Sequence, residues 1–544
     1  MKKAVKKKSY QPTDVEIARR LTLFLFALLA LLLGWQSDDS FHGYVMIKHL
    51  LEGNGFVYNI GERVCATTGP LYTLSCAIPY ALTREMFFTT LVLNVIYSTA
   101  AYWIFSYKIC RTREQILSGF FAFSLSKAFM SYTTSGLENS LLFLFAALFI
   151  WQYMKRDFFD GKALLLLALT FSGVALTRMD AVLYFIPAIV YVYLTRRDGV
   201  SFIKCVGTGL LGLCPFFIWE LFSLFYFGSF VPNTAYVKIG TGISLSDYIK
   251  HGILYYWFTF LNDALVLVVP LCFVLITLVM RKPKYLTLSA GIVMYGAYIL
   301  SIGGDFMMGR HFTLMLFISV LSVTAMFNRE KEPFDRIRRI NGVYTVTVIA
   351  AMIWTMTFGS VVGSQYLYGH IYGSNISDER EFYFPTTGFC NNLRSLIKEG
   401  KTCWQDTWSD EGLEYIRREE FKGSIVENAA GILVYNNSDI YLNDTYCLGD
   451  PLMSRLPAAY HEPWRVGHLR RICPEEYRYS VEEDKNIISD PDLHEFYDKI
   501  LIITRGELFS GERIRTILDM NLGRYDHLVE SYVEHHPEIL VSEE

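Results

Sequence analysis

Eleven uncharged or nearly uncharged stretches, each near the length of a membrane-crossing helix, run through residues 17–363: 17–37, 87–107, 115–134, 138–154, 163–177, 181–195, 203–227, 252–280, 285–303, 312–328 and 342–363. A helix needs roughly 20 mostly apolar residues to cross the hydrocarbon core of a bilayer. Inside that core only a helix or a closed barrel satisfies its own backbone hydrogen bonds. Runs of this length and number predict a multi-pass α-helical membrane protein with about 11 transmembrane helices.

The connecting loops fix an orientation, because Lys and Arg collect on the cytoplasmic side. Lys2, Lys3, Lys6, Lys7 and Lys8 precede the first run. Alternate loops then carry Lys108, Arg111 and Arg113; Lys155, Arg156 and Lys162; Arg196, Arg197 and Lys204; Arg281, Lys282 and Lys284; and Arg329, Lys331, Arg336, Arg338 and Arg339. The intervening loops hold only scattered bases such as Lys48, Arg63, Arg178, Lys238 and Arg310. Every loop agrees with a cytoplasmic N-terminus, residues 1–16. That segment looks like a signal-peptide n-region, but no small-residue cleavage site follows, so the first helix reads as an uncleaved anchor.

Residues 69–82 (GPLYTLSCAIPYAL) are apolar but short and contain two prolines. If they crossed, every later basic loop would lie outside, so they read as an interfacial or re-entrant element. An odd number of crossings then places the tail, residues 364–544, outside. The tail is rich in charge and has no run long enough to span. GILVY (431–435) and KILIIT (499–504) read as short buried strands and ERIRTILDMNL (512–522) as a helix, which predicts a soluble α+β extracytoplasmic domain. Its Cys390, Cys403, Cys447 and Cys473 are an even set in an oxidising compartment. Proximity favours the pairs Cys390–Cys403 and Cys447–Cys473, with free thiols as the equal alternative.

Of the 544 residues, 52% are hydrophobic, 19% are charged and the net charge is -3. That balance lacks the concentrated basic face of a nucleic-acid binder. No P-loop, no clear GxGxxG and no HExxH occurs, so neither soluble-nucleotide chemistry nor a zinc site of that kind is indicated.

The outer loops carry the chemistry-bearing residues. The first outer loop, 38–86, opens on Asp38-Asp39 and then His42. Phe41, Tyr44, Val45, Ile47 and Leu51 fall at helical spacing over 40–52, suited to lying on a membrane surface. Gly53 and Gly55 end that helix, and Asn59-Ile60-Gly61 reads as a turn. The other outer loops hold Glu138 in SGLEN, Arg178 and Asp180 in TRMD, Lys238 in VPNTAYVK, and Asp305, Arg310 and His311 in GGDFMMGRH. Lys127 and Glu220 lie inside runs, near their outer ends. Each alone reads as readily as a solvated cap, a snorkelling side chain or a structural ion pair. Gathered at one face, they predict a polar site between helices that opens outward. An acid there can deprotonate an incoming hydroxyl, and Arg, Lys or His can hold the phosphate of a lipid-linked donor. A gated transporter or flippase with a periplasmic domain is the alternative, but it would be expected to show internal repeats and paired broken helices near the midplane, and neither is visible.

These motifs resemble those of the C-type (GT-C) polytopic glycosyltransferases, in particular the mycobacterial terminal arabinofuranosyltransferases and their bacterial relatives. DDSFHGYVMIKHLLEGNGFVYNIGERV is similar to that family's first outer loop. SGLENSLL (135–142) is similar to its GLET-type segment, LTRMDAVL (176–183) to its RPD or RPE segment, and FGSFVPNTAYVK (227–238) to YGxxxPNTxYxK. GGDFMMGRHF (303–312) resembles GGDFMxxRxxxP, and in the tail LNDTYCLGDPLMSRLPA and WRVGHLRR resemble a D-x-x-GLxDP…R-x-GH stretch. Cys65-Ala66-Thr67-Thr68 departs from the usual EGYT and Met179 from a proline, which leaves the sugar open.

The resemblance covers most of the chain in order. It implies a polyprenyl-phosphate sugar donor, a glycan or glycoconjugate acceptor, and transfer of a pentofuranose such as arabinofuranose at the outer face of the bacterial cytoplasmic membrane. It implies an acid of the first loop, Asp38 or Asp39, as the catalytic centre. Arg310, His311 and Lys238 are then candidates for the donor phosphate, and Glu138, Arg178, Asp180, Asp305 and His42 for substrate binding. Asp450, Arg455, Arg465 and His468 are candidates for an acceptor cleft. No cofactor is identified and metal use stays open: an acid pair can bind a divalent cation, but no complete ligand set is visible.

Overall fold

The computed structural model describes residues 13–195, 201–238, 241–330, 334–364, 375–407, 424–427, 431–460 and 464–541. The basic start at Lys2 to Lys8, Arg196, Arg197 and Lys331 lie outside the described residues.

The apolar runs are helices. They form α1 (Asp14–Leu32), α2 (Ser40–Glu52), α3 (Pro70–Thr83), α4 (Phe87–Trp103), α5 (Arg113–Leu125), α6 (Lys127–Tyr132), α7 (Asn139–Lys155), α8 (Gly161–Thr177), α9 (Ile186–Leu194), α10 (Phe202–Tyr226), α11 (Asn233–Val237), α12 (Leu245–Asn262), α13 (Leu265–Met280), α14 (Pro283–Ser301), α15 (Thr313–Arg329) and α16 (Phe334–Ser364). By length and composition, four described stretches are long and apolar enough to cross a membrane: Phe87–Ile109, Phe202–Tyr226, Arg310–Arg329 and Arg338–Thr357. The run 252–280 is not one helix. It is the pair α12 and α13, bent by 104° at Asn262–Leu265, which makes a fifth candidate if counted as one. Asp263 holds that break: its carboxylate accepts from Ser126 Oγ (2.5 Å), Ala128 N (2.9 Å) and Leu265 N (3.2 Å), so the break is also tied to the start of α6. Likewise 115–134 is split into α5 and α6, where the side chain of Ser126 caps α6.

The main core lies between these helices and is strongly aromatic. Phe26 stacks on Tyr102 at 4.8 Å, and Phe129 stacks on Phe123 at 4.9 Å and on Phe143 at 4.7 Å. Offset aromatic stacking adds to the gain from burying the rings themselves. α10 and the 338–357 stretch of α16 are mostly uncovered within the molecule, as expected of faces solvated by lipid.

The tail contains α17 (Glu379–Thr387), α18 (Phe389–Glu399), α19 (Ile432–Asn436), α20 (Glu475–Glu482), α21 (Pro491–Arg505), α22 (Gly511–Asn521) and α23 (Asp526–His535). Its described strands are β1 (Ser424–Glu427) and β2 (Tyr441–Asp444), a parallel pair in register from Ser424 with Tyr441 to Glu427 with Asp444. The helix expected at 512–522 is α22. The two expected strands are instead helical. KILIIT belongs to α21, whose buried Leu493, Phe496, Tyr497, Ile500 and Ile503 follow the 3.6-residue period that a six-residue window cannot show. GILVY forms the single turn α19, buried on every side, which is why it reads as a strand. Cys390, Cys403, Cys447 and Cys473 are all free. Each thiol meets a different backbone carbonyl, those of Leu32, Thr386, Thr445 and Pro474, and none is bonded to another sulfur.

The tail packs into the loops between the apolar helices rather than standing apart. The apolar face of α2, expected on a membrane surface, is instead turned into the protein: Phe41, Tyr44, Val45, Met46 and Ile47 are buried in a core shared with α3, α4 and α19. α3 is a 14-residue helix interrupted by Pro79, too short to cross unaided. Asn59–Gly61 forms the turn, closed by Glu62 N donating to the Asn59 carbonyl at 3.2 Å. Arg505 of α21 reaches the fully buried Glu62 at 2.8 Å and so ties the tail to the first loop.

Candidate active site

Where these loops and the tail meet, they line a cavity of about 880 Å³. Asp38, Asp39, His42, Glu138, Arg178, Asp180, Lys238, Asp305, Arg310 and His311 all line it. These residues come from separate loops, and their shared location is set by how the helix ends converge.

Asp38 and Asp39 stand just before α2, and neither side chain caps it. They face different surroundings. Asp38 Oδ1 accepts from the backbone N–H of Ile432 at 2.7 Å. Gly431 makes room for this contact, since a β-carbon there would sit 2.6 Å from the Asp38 carboxyl carbon. The Asp39 carboxylate makes no hydrogen bond or ion pair among the described residues; burial raises its pKa, and the charges of His42 and Arg310 only partly offset that. His42 turns Nδ1 back to the Asp39 carbonyl at 3.1 Å and stacks on Tyr58 at 5.7 Å.

Beside the acid pair lies a buried ionic lattice. Arg178 donates through Nη1 to Glu138 at 2.7 Å and, as a fork, to both oxygens of Asp180 at 2.7 and 3.1 Å. Arg310 reaches the same Glu138 oxygen at 3.1 Å. Burial opposes ionisation of Glu138, but Arg310 and Arg178 outweigh it and hold its carboxyl below the ordinary value. His311 Nε2 is 3.3 Å from Asp305, and Tyr295 Oη meets its Nδ1 at 2.8 Å. Burial also opposes ionisation of Asp305, yet His311 and Arg310 keep it well below the carboxylate range. Glu138 is placed by the turn at Gly136, which needs glycine: its φ is +78°, and a β-carbon would meet Ser40 Oγ at 2.6 Å. Lys238, just after α11, extends exposed into the cavity with no hydrogen bond or ion pair among the described residues.

The tail supplies the facing wall. Arg465 binds Glu379 (2.8 Å) and Ser377 (3.0 Å) and lies over the Phe306 ring at 4.6 Å. His468 packs edge-on against Phe306 (4.2 Å) and Tyr446 (4.6 Å). Glu379 carried no sequence signal, because it sits in the polar stretch SDEREF where acids are common. Burial pushes it up to about 8, against the pull of Arg465. Arg465 and His468 thus line the cavity, whereas Asp450 and Arg455 do not. Asp450 is fully buried, bonded to Tyr477 Oη and to the N–H groups of Leu452 and Met453, and Arg455 lies over Tyr236 and binds the Pro451 carbonyl. Of the charges inside apolar runs, Glu220 lines the cavity and Lys127 does not. No group of three or more His, Cys, Asp or Glu set to share a metal ion occurs among the described residues.

No protein-family profile matches the chain. It is 25% identical over 436 residues to a terminal β-(1→2)-arabinofuranosyltransferase of Mycobacterium tuberculosis, covering 69% of this chain and 67% of that one. It is 27% identical over 432 residues to a terminal β-(1→2)-arabinofuranosyltransferase of Corynebacterium glutamicum, covering 68% of this chain and 59% of that one. Over about two thirds of its length the chain is thus similar to terminal arabinofuranosyltransferases. The matched region spans less than two thirds of the corynebacterial relative's length. Among solved structures it is similar to ArnT from Cupriavidus metallidurans bound to undecaprenyl phosphate, with TM-score 0.44, 10% identity, and coverage of 78% of this chain and 85% of that one. It is also similar to the arabinosyltransferase EmbB from Mycobacterium smegmatis, with TM-score 0.31, 10% identity, and coverage of 70% and 44%.

Proposed function

We propose that the protein is a glycosyltransferase that moves a sugar, a pentofuranose such as arabinofuranose, from a polyprenyl-phosphate donor to a hydroxyl of a cell-surface glycan. The reading places this at the outer face of the cytoplasmic membrane, with about 11 crossings, a cytoplasmic N-terminus and an extracytoplasmic tail. The observation that carries it is the Asp39 carboxylate, without a partner among the described residues, in one cavity with Lys238 and the Arg178–Glu138–Arg310 lattice.

In this mechanism Asp39 takes the proton of the acceptor hydroxyl. The hydroxyl oxygen bonds to the anomeric carbon, and the bond from that carbon to the phosphate oxygen breaks. The electron pair leaves with the polyprenyl phosphate. A phosphate leaving group needs charge stabilisation more than a proton, which Lys238 and Arg310 provide. Arg310 and Arg178 are held in place beforehand by Glu138 and Asp180, so little reorganisation is spent at the moment of reaction. Asp38 acts through position, by fixing α19 against the start of α2. The charges cluster at one face, which supports a transferase over a transporter with a site at the membrane midplane.

The test is transfer by the purified protein in nanodiscs, with polyprenyl-phosphate arabinofuranose as donor and a synthetic arabinofuranose oligosaccharide as acceptor. The expected product is the acceptor lengthened by one pentose. No product with this or any other polyprenyl-phosphate pentose or hexose overturns the proposal.

A further inference from the structure

Glu220 is the only acidic residue of α10, a 25-residue apolar helix with little cover from the rest of the molecule. A carboxylate at membrane depth is costly unless something polar meets it. Nothing in the described protein does: Glu220 makes no hydrogen bond or ion pair there, and its Oε1 is enclosed without a partner. The side chain is half-buried and lines the cavity together with Trp219 and Ser223 from the same face of α10.

The polar groups around it are committed elsewhere. Ser223 Oγ donates to the Ser229 carbonyl at 2.7 Å. Thr67 Oγ1 pairs with Thr73 Oγ1 at 2.7 Å, and the Cys65 thiol, within electrostatic reach of Glu220, turns to the Thr67 carbonyl. Ionised or protonated, the carboxyl keeps an oxygen free to accept, so a ligand that brings donors satisfies it. A phosphate diester brings none; the cations suited to it are Lys238 and Arg310. Trp219 and Phe230 add apolar ring surface to the same wall. A carboxylate beside such rings suits a sugar, whose hydroxyls donate and whose C–H face is apolar.

We propose that Glu220 is a sugar-binding residue that accepts a hydrogen bond from a ring hydroxyl, of either the transferred sugar or the acceptor sugar. This rests on the transferase reading for the identity of the substrates, but not for the binding itself. Glu220 neither takes the acceptor proton nor touches the phosphate.

The experiment compares wild type with Glu220→Gln and Glu220→Ala in nanodiscs, with thermal unfolding confirming that each variant folds. Binding is measured for polyprenyl phosphate with and without an arabinofuranosyl group, and acceptor KM for the arabinofuranose oligosaccharide. If the donor sugar is read, wild type prefers the sugar-bearing lipid and the variants lose about tenfold or more of that preference, with bare-lipid affinity unchanged. If the acceptor is read, its KM rises by a similar factor with donor binding unchanged. The inference is overturned if neither quantity moves, if affinity for the bare lipid falls in parallel, or if wild type neither distinguishes the two lipids nor binds the oligosaccharide. Binding without turnover of this or any other polyprenyl-phosphate pentose or hexose would overturn the transferase proposal and leave this one decided by the binding data alone.

Discussion

The backbone N–H of Ile432 donates to Oδ1 of Asp38 at 2.7 Å, across 394 positions of sequence. This one contact separates two adjacent acids. It engages Asp38 in holding α19 and leaves Asp39 facing the cavity.

Substitution of the pair follows from that difference. Asp39→Asn keeps shape and removes the base, so transfer should fall by about 10²–10⁴-fold with the melting temperature unchanged. Asp38→Ala strands a buried N–H and should cost about 1–3 kcal/mol of stability, read by thermal unfolding. Full activity in both Asp38→Asn and Asp39→Asn would eliminate the acid pair as the catalytic centre.

The pH profile tests the same assignment. Burial raises the Asp39 carboxyl from its ordinary value. A base works when deprotonated, so kcat/KM should hold at higher pH and fall on acidification through that raised value. The loss should therefore begin at a higher pH than for a solvent-exposed aspartate. A profile that stays flat down to the pKa of an unperturbed aspartate, about 3.9, would exclude Asp39 as base.

Glu138 joins two arginines at 2.7 and 3.1 Å, which makes it the keystone of the lattice. Removing one partner of a buried ionic group leaves the others uncompensated, at about 3–5 kcal/mol. Glu138→Ala should lower both stability and kcat/KM. Lys238→Ala should leave stability unchanged, since the residue has no ion pair to lose, and weaken polyprenyl-phosphate binding measured in nanodiscs.

Topology can be read by labelling. With native cysteines replaced, Lys485→Cys on the tail should react with a membrane-impermeant maleimide in intact spheroplasts. Lys162→Cys at the start of α8 should react only after the membrane is opened. The reverse pattern would invert the proposed orientation.

The sequence by itself determined that residues 17–363 are mostly apolar helices and that the charged residues lie in the segments between them. Both depend on local apolar length and on single charges, which are legible without reference to the rest of the chain. It also marked the Asp38-Asp39 pair, Glu138, Arg178 and Arg310, because they gather in the loops on one side of the apolar runs, without choosing between the two aspartates. Only the tertiary structure decided what each of them meets. Asp38 is bonded to a backbone group hundreds of residues away, and Glu379 and Arg465 reach the cavity only because the tail folds back onto α2. KILIIT is helical because its partners at helical spacing, Leu493 and Phe496, lie outside the window that reads as a strand. Hydrogen bonds and ion pairs act over a few ångströms in space, and the sequence carries no record of which distant residues will be brought that close.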